Sequence, residues 1–239
     1  MKLSVVVPAF NEERLIAGTL RHLEAGIEVL ERRGWSSELI VCDNNSTDRT
    51  AEIARSAGAR VVFEPVNQIS RARNAGAGAA SGDWLLFVDA DSSPSRALVE
   101  EMLDGIESGR CVGGGCTVTL PLAPLGVRAW VAAWNLTSRT MRWAAGSFVF
   151  CEAAAFRAVG GFSEELYAAE EIDFSRRLKA CFPGRDFIIL HCRPLVTSGR
   201  KVELYSAREQ LAFVWKLMTA GRRTLRSRDA CSMWYDGRR

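Results

Sequence analysis

The sequence has no Cys-x-x-Cys pair and only two histidines, His22 and His191, so a Cys/His zinc site is not expected. Its seven cysteines (Cys42, Cys111, Cys116, Cys151, Cys181, Cys192 and Cys231) are odd in number and follow no framework spacing. That argues against a disulfide scaffold and for reduced, buried thiols. A GxxxxGK[ST] phosphate loop is missing, as are internal repeats and low-complexity linkers. No apolar run reaches the roughly 18 uncharged residues of a membrane span, the longest being interrupted by Arg128. Met1 to Pro8 lead straight into an apolar strand with no basic leader segment, so the expected location is cytoplasmic, or peripheral on the cytosolic face of a membrane. A basic surplus is missing from the body of the chain as well. The net charge of +3 hides a first 220 residues with 25 bases and 26 acids, and a tail, Gly221–Arg239, with six arginines and two aspartates. Nucleic acid is therefore not an expected partner.

What the chain does hold is an alternation of short apolar strands and amphipathic helices. Leu3–Val7, ended by Pro8, reads as a buried parallel strand. Asn11 is placed to cap the following helix, on which Ile16, Leu20, Leu23, Ile27 and Leu30 form one face up to Gly34. Further strands are expected at Leu39–Cys42, Arg60–Phe63 and Trp84–Val88. Helices begin after Asp48 and near Ser70, and Pro94 opens another that carries Leu98, Met102 and Ile106. Four strand–helix units imply a doubly wound α/β sheet. Beyond Gly113-Gly114-Gly115 the pattern is less regular. Strands are expected at Cys116–Leu120, Phe148–Cys151 and Phe187–Leu190, with helices at Glu152–Val159, from Glu170 to Cys181, and over Glu203–Thr219. Trp130, Trp134 and Trp143 mark a hydrophobic segment that is either core or a membrane-contacting surface.

In an open α/β sheet, ligands bind beyond the carboxyl ends of the strands. Three polar clusters fall there: Pro8-Ala9-Phe10-Asn11-Glu12, Asp43-Asn44-Asn45 and Asp89-Ala90-Asp91. Carboxylates at i and i+2 of a strand lie about 6.6 Å apart on one side and repel each other unless a cation intervenes. Oxygen ligands of this kind suit Mg2+ or Mn2+ bridging to a diphosphate; the alternative is a solvated turn acid beside a helix-capping acid. Asp43 ends a buried strand, where it can accept hydrogen bonds from a nucleobase or serve as a turn residue. Arg71, at the start of a short helix, can reach a phosphate. Arg71 and Arg73 do not share a helix face, so only one of them is expected to be functional. Glu170-Glu171-Ile172-Asp173 places acids in a first helical turn, where they suit the macrodipole and where one can deprotonate a hydroxyl. Glu170 and Asp173 share a face while Glu171 points about 100° away, so one acid can do chemistry while the others hold the helix. His191 is either a metal or phosphate ligand or an edge histidine. Ser198-Gly199-Arg200-Lys201 is either a basic loop able to close on a diphosphate or a plain surface loop.

Taken in order, these segments resemble the family 2 glycosyltransferases over about residues 3–180. The matching pieces are Ser4-Val5-Val6-Val7-Pro8-Ala9-Phe10-Asn11-Glu12-Glu13, Asp43-Asn44-Asn45-Ser46-Thr47-Asp48-Arg49-Thr50 and Arg71-Ala72-Arg73-Asn74-Ala75-Gly76. They continue with Asp89-Ala90-Asp91, and with Val159-Gly160-Gly161-Phe162 followed by Glu170-Glu171-Ile172-Asp173. The resemblance implies a GT-A fold, a Rossmann-like mixed central sheet flanked by helices with the DxD at the end of a central strand. It implies residues 1–220 as a single domain, with a nucleotide-binding half (1–110) and an acceptor-binding half (111–220), and a basic tail at 221–239.

It further implies a UDP- or GDP-sugar donor, Mn2+ or Mg2+, inversion at the anomeric carbon, and a carbohydrate or lipid-linked hydroxyl acceptor. By the same resemblance Pro8, Ala9, Phe10, Asn11, Glu12, Asn45, Arg71 and Ala90 line the nucleotide, Asp43 holds the base, and Asp89 holds the ribose or a metal-bound water. Asp91 ligates the metal, with Asp89 and His191 as further ligands. Gly146, Ser147, Arg200 and Lys201 form the loop between donor and acceptor. The family's base is usually the second acid of a Glu-Asp pair; this falls on Glu171, with Glu170 and Asp173 beside it. The competing classes are a nucleotidyltransferase, which needs a Gly-rich basic loop after the first strand, and a nucleotide-sugar-binding module without turnover.

Overall fold

The computed structural model describes residues 1–198, 221–231 and 235. The Val-rich run at the N-terminus forms β1 (Lys2–Ala9), which pairs in parallel with β2 (Ser36–Asp43) on one side and β4 (Trp84–Val88) on the other. A strand covered on both faces needs apolar residues at every position, hence its near-continuous aliphatic sequence. β3 (Arg60–Phe63) extends the parallel part beyond β2. Beyond β4 the direction reverses. β7 (Phe148–Glu152) runs antiparallel between β4 and β6 (Cys111–Thr119), and β8 (Asp186–Thr197) pairs in parallel with β6 and antiparallel with the two-residue β5 (Ser92–Ser93). The order β3-β2-β1-β4-β7-β6-β8-β5 makes the sheet mixed rather than uniformly doubly wound.

Helices cover both faces. The expected apolar stripe of α1 (Ile16–Arg32) is buried together with Leu98, Met102 and Ile106 of α4 (Arg96–Glu107). Trp84, Leu86 and Val88 of β4 point to that side. Leu85 and Phe87 point to the other, where Phe156 of α6 (Ala153–Ala158), Phe162 and Phe174 of α7 (Glu170–Cys181) pack against them. α2 (Thr50–Ser56) and α3 (Ile69–Gly78) complete the first half.

The structure departs from expectation in several places. Asn11 does not cap α1; it takes a left-handed conformation (φ 53°), and an uncapped turn over residues 12–15 leads to Ile16. The three glycines lie inside β6 rather than before it, because their neighbours leave no room for side chains: a β-carbon on Gly114 would fall 2.3 Å from the Ile188 carbonyl oxygen. β8 is much longer than Phe187–Leu190, so His191 sits within a strand and not after one. The Trp segment is a helix, α5 (Leu125–Met141), with Trp130 exposed. None of the seven cysteines is paired, but Cys181 and Cys192 are exposed instead of buried. The helix expected over 203–219 and the loop residues Arg200 and Lys201 lie outside the described residues. Past them, α8 (Arg222–Leu225) and the residues that follow return to the domain, where Thr224 is buried and Cys231 and Tyr235 pack with Tyr167 and Ala168. Among the described residues no helix is long and apolar enough to cross a membrane.

Candidate functional site

The site is assembled at the carboxyl ends of β1, β2 and β4, where Ala9 and Asp43 are register partners. The loop after β1 is laced to the loop after β2. The Asn11 amide donates to Ser46 Oγ (3.0 Å), the Thr47 amide to Asn11 Oδ1 (2.8 Å), and the Glu12 amide to Thr50 Oγ1 (2.7 Å). Pro8, Ala9, Phe10 and Glu12 are thereby fixed along one wall. Asp43, 7% exposed, accepts the Ser46 amide on Oδ1 (3.1 Å), while Asn45 is forced left-handed (φ 67°).

Asp89-Ala90-Asp91 forms the turn joining β4 to β5 rather than a continuation of β4, so strand spacing does not set the separation of the two carboxylates. Ala90 is buried, and its carbonyl accepts the Thr19 hydroxyl (2.7 Å). Asp91 Oδ2 accepts the Ser198 hydroxyl (2.5 Å). Among the described residues no group of three His, Cys, Asp or Glu forms a cation cage. An oxygen set of one or two carboxylates fits Mg2+ or Mn2+ completed by substrate phosphates and water, which is how such ions are usually held. His191 is not brought to this turn. It is exposed beside Glu101, six residues along β8 from Thr197, the partner of Ser92, which is roughly 20 Å of strand.

The residue that organises the site is Arg73. It is 1% exposed; Nη1 donates to Glu170 Oε1 (2.5 Å), and Nη2 to Asp89 Oδ1 (3.0 Å) and to the Gly146 carbonyl (2.9 Å). Burial alone would lower its pKa, but the charges of Asp89, Glu170 and Glu171 outweigh that and raise it. Its neighbour Arg71 reaches the other way, to Glu64 and Glu164. The sequence carries a signal for Arg73: Ser70, Gly76 and Ala77 each lie three or four residues from it. A helix face of small residues is one that packs closely, so an arginine within it must be buried and paired. Gly76 shows how close that approach is, since a β-carbon there would fall 2.4 Å from a Val6 methyl.

The acids of α7 take different parts. Glu170 is buried and ion-paired with Arg73. Asp173 accepts from Arg177 (2.7 Å), whose other nitrogens bind the carbonyls of Val159 and Gly161 and so staple the turn before Phe162. Glu171 lies next to Gly146, where a β-carbon would come within 3.5 Å of its carboxyl group. Burial first, then the charge of Glu170, pushes the Glu171 carboxyl up to about 8. Ser147, beside Gly146, accepts the Asp89 amide (3.3 Å). Asp89, Gly146, Ser147, Glu170 and Glu171 are thus gathered within reach of one another, although they come from both halves of the chain.

The family model for glycosyl transferase family 2 matches residues 4–156. The chain belongs to this family. An uncharacterized glycosyltransferase of Mycobacterium tuberculosis is 34% identical over 107 residues, 45% of this chain and 44% of the relative. The dolichol-phosphate mannosyltransferase of Pyrococcus furiosus is 26% identical over 123 residues, 48% of this chain and 33% of the relative. These matches thus span less than half the length of the curated relatives. Among solved structures, a Pyrobaculum calidifontis mannosyltransferase in complex with GDP-Man and Mn2+ superposes with a TM-score of 0.65 at 17% identity, covering 98% of this chain and 73% of the other. S. aureus TarS 1–349 in complex with UDP-GlcNAc gives 0.64 at 21%, covering 92% and 66%. Glucosyl-3-phosphoglycerate synthase of M. tuberculosis, with Mn2+, UDP and glucosyl-3-phosphoglycerate, gives 0.61 at 20%, covering 97% and 80%. The fold of this family 2 chain is therefore GT-A.

Proposed function

We propose that the chain is an inverting, metal-dependent glycosyltransferase that moves a sugar from a UDP- or GDP-sugar to a hydroxyl acceptor, with Glu171 as general base. The observation that carries this reading is the division of labour in α7. Glu170 is committed to Arg73 and Asp173 to Arg177, while Glu171 keeps a raised pKa beside the Gly146 loop. A base poised near the working pH is the effective one. Asp43 receives the nucleobase, Asp89 the ribose, and Asp91 with Asp89 would hold the cation. A bound Mn2+ or Mg2+ would supply positive charge beside the departing diphosphate.

Glu171 takes the proton of the acceptor hydroxyl, whose oxygen bonds to the anomeric carbon from the face away from the nucleotide. The bond from that carbon to the diphosphate breaks, its electron pair leaves with the nucleoside diphosphate, and the configuration inverts. A panel of nucleotide sugars with Mn2+ tests this. Transfer is expected with one donor, to be lost in Asp91→Ala, and to fall by roughly 10²–10⁴ in Glu171→Gln while the nucleotide still binds. Full transfer by Glu171→Gln would sink the assignment.

For the acceptor, α5 favours the lipid-linked form. Leu125, Trp130 and Leu136 are exposed along a helix that carries Arg128 and Arg139 and no acid. An apolar, basic helix face suits an anionic bilayer surface. Binding to phosphatidylglycerol vesicles is expected for the intact chain and should be lost in Trp130→Glu; equal sedimentation of both would refute the contact.

A further inference from the structure

We propose that Arg73 is a positioning residue that locks the base-bearing turn of α7 to the donor end of β4, so that donor binding and base placement are one event. The proposal rests on the glycosyltransferase reading for the identity of the base, and on geometry for the clamp itself.

One planar guanidinium joins four segments: α3, which carries it; the turn after β4, through Asp89; the loop before β7, through the Gly146 carbonyl; and α7, through Glu170. The first two belong to the nucleotide half of the chain and the last two to the acceptor half. Arginine is suited to this because its donors form a rigid fork and its charge cannot be lost. Its own position is held from three sides. α3 is pressed onto β1 at Gly76, the guanidinium carbon lies 5.2 Å from the Phe162 ring centroid, and Asn74 makes two 2.9 Å hydrogen bonds with the Phe162 backbone.

Arg73 acts through the groups it holds. Glu171 is faced by Glu170 on its own helix, by Arg73 from α3, by Asp89 after β4, and by the Gly146 loop. Arg73 neutralises Glu170, so the adjacent carboxylates can coexist with only one of them free to act as a base. It also fixes the Gly146 carbonyl, at a residue where a β-carbon would lie only 3.2 Å from Arg73 Nη2. When a nucleotide occupies the Asp89 end, the same guanidinium transmits the restraint to the first turn of α7.

Removing Arg73 alone strands a buried Glu170 charge, so the informative variant is the charge-balanced pair Arg73→Met with Glu170→Gln, compared with Arg73→Lys. Two readouts are taken on the full chain: hydrogen exchange of peptides spanning residues 166–178, with and without Mn2+ plus UDP or GDP, and kcat and KM for transfer. In wild type the nucleotide should slow exchange in these peptides. In the folded double variant it should still bind but leave them unprotected, and kcat should drop by about 100-fold, the usual effect of misplacing a group by about 1 Å. Arg73→Lys should recover part of both. Nucleotide-induced protection that persists in the double variant, or an unchanged kcat, overturns the proposal. If wild type binds no nucleotide, the glycosyltransferase reading fails instead. The clamp is then decided by exchange without nucleotide, which must be faster at residues 170–173 in the double variant than in wild type.

Discussion

Glu171 and Glu170 are adjacent in sequence yet differ in every physical respect that matters for chemistry. Glu170 is ion-paired with the buried Arg73 guanidinium; Glu171 faces burial and a like charge. Because the folded-state pKa of Glu171 lies above its unfolded value, the unfolded chain gives up a proton between the two that the folded chain retains. Stability therefore falls as pH rises from the ordinary carboxylate range through the pKa of Glu171. Glu171→Gln removes that ionisation. It should raise Tm relative to wild type at roughly pH 9 and leave the difference small at roughly pH 5, a contrast that thermal unfolding at the two values checks. An equal Tm shift at both would mean that Glu171 titrates normally. The pH dependence of transfer has the opposite sense, since a base must be ionised to work. kcat/KM should climb through neutrality and level off above the pKa of Glu171. That acids gather at this helix start was legible in the sequence. That Glu170 rather than Glu171 pairs with Arg73 was not, because the partner lies 97 residues away.

At the scale of elements, short aliphatic runs announced both the fully buried Trp84–Val88 and the more exposed edge strand Arg60–Phe63, and both match the expected limits. β6 did not, because glycine reads as a break where the chain is followed locally. In the fold the same glycines are what let β7 and β8 close on β6. A β-carbon at Gly113 would meet the Phe150 carbonyl oxygen at 2.7 Å, and one at Gly115 would meet Ala144 at the same distance. Gly114→Ala should therefore cost about 1–3 kcal/mol, the range for forcing volume into a packed interior. That corresponds to roughly 2–4 °C in Tm for each kcal/mol. Gly126→Ala, on α5 with nothing within 4 Å of its β-carbon, is the control and should be neutral or slightly stabilising. α5 was illegible for a related reason. Its inner stripe is thin, with only Val131 and Ser138 buried, and apolar residues surround it.

At the scale of the whole molecule, the basic tail is partly structural. Arg226 pairs with Glu165 (2.6 Å), and the guanidinium of Arg228 lies 6.0 Å from the Tyr235 ring. The Tyr167 amide donates to the Leu225 carbonyl (2.7 Å), and Tyr167 packs edge-on against Tyr235 at 5.5 Å. Charge counted along the sequence could not reveal this, since these contacts close over about 60 residues of chain. Their target is the segment that ends at Ala169, whose left-handed turn (φ 60°) delivers Glu170 and Glu171 into α7. Tyr235 is close enough that Glu170's charge, after burial, raises the pKa of its hydroxyl. The segment after residue 220 thus braces the turn leading into α7 from outside while Arg73 holds the first turn of α7 from inside. Ending the chain at Ala220 should leave Mn2+-dependent nucleotide binding near the wild-type level, while kcat falls by about 100-fold as the α7 turn loses its outer support. Tyr235→Ala should give a weaker form of the same split. Calorimetric binding of UDP or GDP alongside transfer kinetics separates the outcomes. A parallel loss of both would make the segment a general stabiliser, and an unchanged kcat would leave the tail free for the anionic surface that its remaining arginines suit.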